Sequence, residues 1–304
     1  MGKRHLFILL YHKVSPQARP LFGTAVAPIV FEKQVRFLRR HYEIVDLQAF
    51  SYPRPDTSKD YVAITFDDGY KDNFLHAFPI LNRLDIPATI FLATDFIDTC
   101  RLLWHDKLAW ILYNAACPPD RTGLLQSRLP ESMIHMIETF FSSEQGHQVR
   151  ILRSLAAGLK LLPAEERDDV LSRLAKICKV IRWPGEADRP MLSWEEVKEM
   201  FGCGISFGSH TKSHPVLSGL SEHLIREEVS QSKKAIEQHI GIPVTTFAYP
   251  YGKKEDYSQP VLRILKEEGF SCALSTAVGH ETLPLKTPLS LKRKGVPLHP
   301  YLFL

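Results

Sequence analysis

The fold of this chain is decided by the stretch Val62-Ala63-Ile64-Thr65-Phe66-Asp67-Asp68-Gly69. It opens as an apolar, β-branched run of strand length and stops abruptly in two carboxylates and a glycine. Adjacent side chains at a strand end point in different directions, so one aspartate can bind a cation while its neighbour handles protons. An Asp-Asp-Gly turn with Asp72 as the cap of the next helix would explain the same letters without any chemistry. What separates the two readings is whether other strand-like runs end in the same way.

Two do. Ile205 to Phe207 leads into Gly208-Ser209-His210-Thr211-Lys212-Ser213-His214-Pro215, which sets two imidazoles four residues apart, the spacing that one helical turn or a compact loop brings to one face. Two histidines and one carboxylate make three protein ligands and leave positions for water and substrate, as hydrolytic divalent metals require. H-x-x-x-H by itself also arises where histidines only hydrogen-bond at a helix start, and the H-E-x-x-H of zinc peptidases is absent. The third run, Phe247-Ala248-Tyr249-Pro250-Tyr251-Gly252, ends in a Pro and Gly turn that could aim a backbone N–H at a developing oxyanion. Three polar endings at the carboxyl ends of three strands match the place where α/β barrels build their sites.

Working outward, short strand patterns alternate with amphipathic ones. The strands are Leu6 to Tyr11, Val62 to Phe66, Ala88 to Ala93, Ile205 to Ser209, Thr245 to Tyr249 and Phe270 to Ser275. Helices are predicted from Phe31 to Tyr42, Asn73 to Leu84 and Ser221 to Ile240, the last ending at Gly241, and Ser193-Trp194-Glu195-Glu196 reads as a capping box. Between about residues 96 and 190 the rhythm breaks. Helical patterns such as Trp104 to Ala115 and Glu166 to Ile181 follow one another with no convincing strand, which predicts a helical insertion within one domain spanning 1–304. Leu102, Leu103, Trp104, Leu108, Trp110 and Ile111 read as helix core before they read as a ligand platform. The cluster from Tyr52 to Asp60 reads as a loop, and the residues from Pro297 onward as a trailing segment.

With 304 residues, 44% of them hydrophobic and 24% charged, the chain is long enough for a large core and has none of the bias of disordered or collagen-like sequences. Its net charge of +4 is too mild to argue for nucleic acid. The short clusters Arg39-Arg40 and Lys292-Arg293-Lys294 could touch an anionic surface and are expected mainly to be solvated. Five scattered cysteines, an odd number without a C-x-x-C pair, suit free thiols in a reducing compartment. The apolar run Phe7 to Leu10 passes straight into Tyr11 and His12 without a cleavage site, and no run approaches the roughly 20 residues of a membrane span. Neither a signal peptide nor a transmembrane segment is expected, and the address expected is the cytoplasm or a peripheral position at the inner face of the membrane.

On these motifs the sequence resembles the polysaccharide deacetylases, carbohydrate esterase family 4. Thr65-Phe66-Asp67-Asp68-Gly69 is similar to the first family motif, Ser209 to His214 to the second, and Ala248-Tyr249-Pro250-Tyr251 to an altered third. Leu10-Tyr11-His12 and Lys292-Arg293-Lys294-Gly295-Val296 also resemble family segments, so the likeness covers most of the chain outside the insertion. It implies an α/β fold, a distorted (β/α) barrel of about seven strands, with a divalent metal at the strand ends. Carried over, it makes Asp68, His210 and His214 the metal ligands, Asp67 the catalytic base and the backbone N–H of Tyr251 an oxyanion donor. Zinc is the ion favoured by two imidazoles and a carboxylate, with Co, Ni or Mn also suited to them.

The chain departs from the family pattern in two places. Ala248 stands where many members carry an arginine that holds the catalytic aspartate, and Arg293 is the candidate replacement. The histidine many members place on a late apolar strand, as acid for the leaving amine, has no clear counterpart. His12, at the end of the first strand, ranks above His299 and His280 for that role. The resemblance implies removal of an N-acetyl group from an N-acetylated amino sugar in cell-envelope or exopolysaccharide assembly, and the expected lack of an export signal points to a lipid-linked or nucleotide-linked precursor. An amidase on a small acyl amide and a non-catalytic carbohydrate-binding relative are the rival readings. The insertion would either cap a sugar or rest on a lipid surface.

Overall fold

The structure is a computed structural model that describes residues 4–16, 24–48, 59–126 and 129–296. His299, most of the loop placed at Tyr52 to Asp60 and the segment from Pro297 onward lie outside the described residues.

Seven parallel strands close a barrel: β1 (His5–Tyr11), β2 (Tyr61–Phe66), β3 (Ala88–Leu92), β4 (Ile205–Ser209), β5 (Thr246–Ala248), β6 (Cys272–Val278) and β7 (Leu291–Gly295). Each of β2 to β6 pairs with its successor in the chain, β6 pairs with β7, and β1 sits between β7 and β2. Glu43–Ile44 adds a short parallel edge to β2, and Glu281–Thr282 an antiparallel one to the start of β1. The distorted barrel expected from the sequence is the observed fold.

Strand periodicity sorts the side chains into two cores. Leu6, Ile8, Tyr61, Ala63, Phe91, Ala248, Leu274 and Leu291 form one cluster, which fills the barrel. The alternate residues, such as Leu9, Tyr11, Val62, Ile64, Phe66, Ile90, Phe207 and Phe247, face outward and pack with the helices in a second cluster. Gly208 lies close against its neighbours: an added Cβ would come within 2.5 Å of the Phe91 ring and 2.6 Å of Thr246 Oγ1.

The surrounding helices carry the signals that predicted them. Pro28 opens α1 (Pro28–His41), and α8 (Trp194–Gly202) begins at a capping box in which Ser193 and Glu196 bond reciprocally at 3.1 and 2.7 Å. Helix α9 (Glu222–Ile240) is capped by Ser221 and ends at Gly241 with φ of 74°. The helix expected from Asn73 begins as a π-helical turn, Asn73–Ala77, continued by α2 (Phe78–Arg83). Pro79 explains this: it cannot donate to Leu75 and its ring would press on that carbonyl, so the turn ahead of it widens. Asp72 precedes that turn without the capping bond the non-chemical reading gave it. A further helix, α10 (Gln259–Glu267), had no place among the sequence-predicted elements.

Residues Cys100–Arg189 belong to a second compact unit with a core of its own. It contains α3 (Trp104–Tyr113), α4 (Arg121–Gln126), α5 (Glu131–Ser142), α6 (Gln145–Leu159) and α7 (Ala164–Ile177). Leu108, Ile111, Ile137, Phe140, Leu152, Leu155, Leu171 and Leu174 are buried there, which puts the Trp104–Ile111 stripe in a core. The helix expected to reach Ile181 stops at Ile177, because Lys179 turns left-handed with φ of 50°, and Ile181 is 91% exposed.

One sequence expectation is overturned at β7. Lys292-Arg293-Lys294 is not a solvated basic cluster: the strand alternates, Lys292 is exposed, and Arg293 points inward at 1% exposure.

Candidate active site

The inward parity of the strands selects the residues at the carboxyl end of the barrel. In β2 the inward series 61, 63 and 65 continues to Asp67, and in β4 the series 206 and 208 continues to His210. On β1, positions 6 and 8 continue to His12, and on β7 Leu291 continues to Arg293. Four polar groups therefore converge where the apolar filling of the barrel ends. Their anchoring is by backbone: Asp67 N donates to Tyr11 O at 3.1 Å, and His210 N donates to Leu92 O at 2.9 Å.

Asp67 and Arg293 form a two-pronged ion pair. Nη1 and Nη2 each donate to one carboxylate oxygen at 2.8 Å, and Nε donates to Ser275 O at 2.9 Å. Burial opposes ionisation of Asp67, but the Arg293 guanidinium together with His210 and His12 outweighs it and holds the carboxyl below its ordinary range. The imidazole of His12 lies close enough for its charge to act on both Asp67 and Asp68.

Asp68 turns away from its neighbour because its backbone is left-handed, with φ of 76°, followed by Gly69 at 81°. Its Oδ1 lies 3.4 Å from His210 Nε2 and 3.3 Å from His214 Nε2, and all three residues are buried. His210 Nδ1 is 2.7 Å from the carbonyl of Ala248, an acceptor, so Nδ1 carries a proton and Nε2 faces Asp68; burial opposes charge on this imidazole, but Asp67 and Asp68 outweigh it and raise its pKa. With Nε2 unprotonated, a cation between the imidazoles and the carboxylate would reconcile their lone pairs. The spacing agrees: metal bonds of about 2.0–2.1 Å in a tetrahedron put neighbouring ligand atoms about 3.3–3.4 Å apart, longer than a good N–H···O hydrogen bond. Asp68, His210 and His214 are the one cluster of metal-binding type among the described residues, with ligand atoms within 4.8 Å of one another.

The loop bearing the histidines is held by residues the sequence reading passed over. Glu228 of α9 accepts from Lys212 N at 2.9 Å, Ser213 N at 2.8 Å and Ser213 Oγ at 2.6 Å. Thr211 Oγ1 donates to His210 O at 2.5 Å and accepts from His214 N at 3.0 Å. Ser209 and Ser232 share a buried hydrogen bond of 2.6 Å between strand and helix. The one available signal was Ser232 among the buried positions of α9. Asn73, fully buried, donates to His12 O at 2.9 Å and was also missed.

Tyr251 follows β5 at this same mouth. Its φ of 61° makes the centre of a tight turn closed by Gly252 N to Pro250 O at 2.7 Å, and Thr276 of β6 grips Tyr251 O at 2.7 Å. The Tyr251 ring stands 5.0 Å from that of His214. Asp68, Thr211, His214 and Tyr251 account for four of the seven described non-glycine residues with positive φ, and such strain concentrates where function over-determines the backbone. His280 belongs elsewhere: it is exposed and packs edge-on to His5 at the start of β1, 4.7 Å between ring centroids.

The polysaccharide deacetylase family model matches residues 54–151 and 163–273, more than half of the chain. The chain belongs to the polysaccharide deacetylase family. YxkH of Bacillus subtilis (strain 168), named as a polysaccharide deacetylase, is 32% identical over 88 residues. That match takes in 29% of this chain and spans only 30% of the relative's length. Among solved structures, the Streptococcus pyogenes deacetylase PplD in complex with acetate aligns at a TM-score of 0.59 and 18% identity, over 99% of this chain and 95% of its own. IcaB from Ammonifex degensii aligns at 0.57 and 20% identity, over 98% and 93%. At these identities the likeness is one of fold.

Proposed function

We propose that this chain is a metal-dependent hydrolase that removes the acetyl group from the nitrogen of an N-acetylated amino sugar. The observation that carries this reading is the division of labour between adjacent aspartates. Asp67 is locked to Arg293 as a buried carboxylate, while Asp68 closes a three-ligand site with His210 and His214. Asp68, His210 and His214 would hold the metal, and zinc suits the donor set best. When bound, the cation supplies the positive charge that acidifies water and polarises the acetamide carbonyl.

The remaining steps belong to the chain. Asp67 takes a proton from the attacking water, and Arg293 fixes the direction of the carboxylate while keeping it ionised. The backbone N–H of Tyr251 donates to the oxygen on which charge develops. His12 gives a proton to the amine nitrogen as the C–N bond breaks, leaving acetate and a free amino sugar. Arg293 supplies from β7 the tether that Ala248 cannot.

The substrate proposed is a lipid-linked or nucleotide-linked saccharide precursor met in the cytoplasm or at the inner membrane face. Five free cysteines support a reducing compartment, and among the described residues no helix is long and apolar enough to cross a membrane. We assign residues 96–190 as a helical insertion in the chain of the barrel.

The test is acetate release from free, nucleotide-linked and lipid-linked N-acetylated saccharides by wild type and Asp67→Asn, with defined metal added and bound metal measured. Release by wild type, lost in Asp67→Asn with metal retained, is the expected result. Equal release by both would remove Asp67 as base. Silence of the wild type would overturn the enzymatic reading in favour of a carbohydrate-binding role.

A further inference from the structure

We infer that Asn73 is a positioning residue that holds His12 in line with Asp67. The inference rests on the role proposed above for His12. Asn73 is 0% exposed, and its Nδ2 donates both to His12 O at 2.9 Å and to Asp72 Oδ1 at 2.9 Å. Both partners are acceptors, so the amide has one orientation: flipped, its oxygen would face a carbonyl and a carboxylate. Its own Oδ1 is buried without a hydrogen-bond partner, a cost the fold bears to keep the NH2 group in place.

The backbone is shaped to the same end. Asn73 N donates to Tyr70 O at 3.1 Å, and Asn73 O accepts from Phe78 N, five residues on, in the π-helical turn that Pro79 imposes. That widened turn presents the Asn73 side chain to the segment leaving β1. There, two successive carbonyls are taken by the motif that carries the carboxylates: Tyr11 O by Asp67 N and His12 O by Asn73 Nδ2. The dihedrals on either side of His12 are thereby fixed relative to Asp67. His12 lies between β1 and the two-residue strand Lys13–Val14, so no barrel partner is paired with it to do this.

The experiment combines a kinetic cycle with hydrogen exchange on the intact chain. Asn73→Ala should lower kcat roughly 10- to 100-fold with KM little changed, the cost of misplacing a reacting group by about an ångström. Added to His12→Ala it should lower kcat no further than about threefold, because a positioner has nothing left to position. Independently of activity, amide exchange across residues 9–16 should accelerate in Asn73→Ala, while that of β4 and β6 stays unchanged. If Asn73→Ala does not fold, Asn73→Asp, of the same shape but without the donor, serves in both measurements. Multiplicative losses in the double variant, or unchanged exchange across 9–16, would overturn the inference. A wild type without deacetylase activity would remove the proposed function but leave the exchange result to decide whether Asn73 pins His12.

Discussion

Replacing Arg293 with methionine should destabilise the protein in a way that depends on pH, and the structure gives the size and sign. The side chain is 1% exposed and makes three hydrogen bonds, two of them to a carboxylate that is itself 3% exposed. Methionine keeps much of the length and fills the space, so the main loss is the counter-charge. Removing one partner of a buried ion pair costs about 3–5 kcal/mol, because the other charge stays behind. At roughly 2 °C per kcal/mol for a chain of this size, Tm at pH 7.5 should fall by about 6–10 °C. In the wild type, Asp67 has a depressed folded pKa, so its contribution is present above the unfolded value of about 3.9 and is lost as pH falls through the folded one. In Arg293→Met, burial is opposed only by the neighbouring His210 and His12 and the carboxyl rises, so its penalty is greatest at neutral pH and is relieved on acidification. The gap in Tm between the two proteins must therefore narrow as pH drops. Thermal melts in chelator from pH 7.5 to 4.5 measure it, the histidines near Asp68 being common to both. The double variant Asp67→Asn/Arg293→Met should recover more than half of the loss. A gap below about 2 °C, or one that does not change with pH, would refute the account of the pair as a buried, ionised tether.

Three further outcomes follow from the packing. Glu228→Ala leaves Lys212 N, Ser213 N and Ser213 Oγ without their acceptor and should weaken zinc affinity about 10- to 100-fold, read by competition with a chelating dye. Gly208→Ala sets a Cβ 2.5 Å from the Phe91 ring inside the barrel and should cost about 1–3 kcal/mol in urea melts, with the slope unchanged. Burial pushes the Cys178 and Cys272 thiols up to about 12, whereas Cys117 and Cys203 are exposed. At pH 8 an alkylating reagent should label Cys117 and Cys203 promptly, and Cys178 and Cys272 only after unfolding.

Six of the seven barrel strands were legible because each is an apolar run, and a parallel barrel buries both faces of its strands. The seventh hid for a physical reason. Leu291-Lys-Arg-Lys-Gly alternates as a half-buried strand should, but its second inward residue is a guanidinium, so a reading by hydropathy sees only a charged cluster. The metal-type trio was visible because Asp68, His210 and His214 are residue types whose chemistry shows in their identity and spacing. Glu228, Thr211 and Asn73 were not, since glutamate on a Glu-rich and Lys-rich helix, or asparagine at a helix start, is what solvated surfaces also contain. What marks them is a partner distant in sequence or a bond to backbone, and neither is written in local pattern.

Arg293, the candidate holder of Asp67 in the sequence, also bears on how the barrel is closed. Asp67 follows β2 and Arg293 lies on β7, with β1 between those two strands, so the pair joins the two neighbours of the first strand across the carboxyl end of the barrel. The contact spans 226 residues of chain and joins strands that both pair with β1 in the closed ring. Without that contact Asp67 lacks its guanidinium and its carboxylate cannot be buried ionised without a cost of several kcal/mol. Closure of the fold and burial of the proposed base as an ionised carboxylate are therefore coupled. Carried on the last strand, the tether makes a working site a property of the completed barrel.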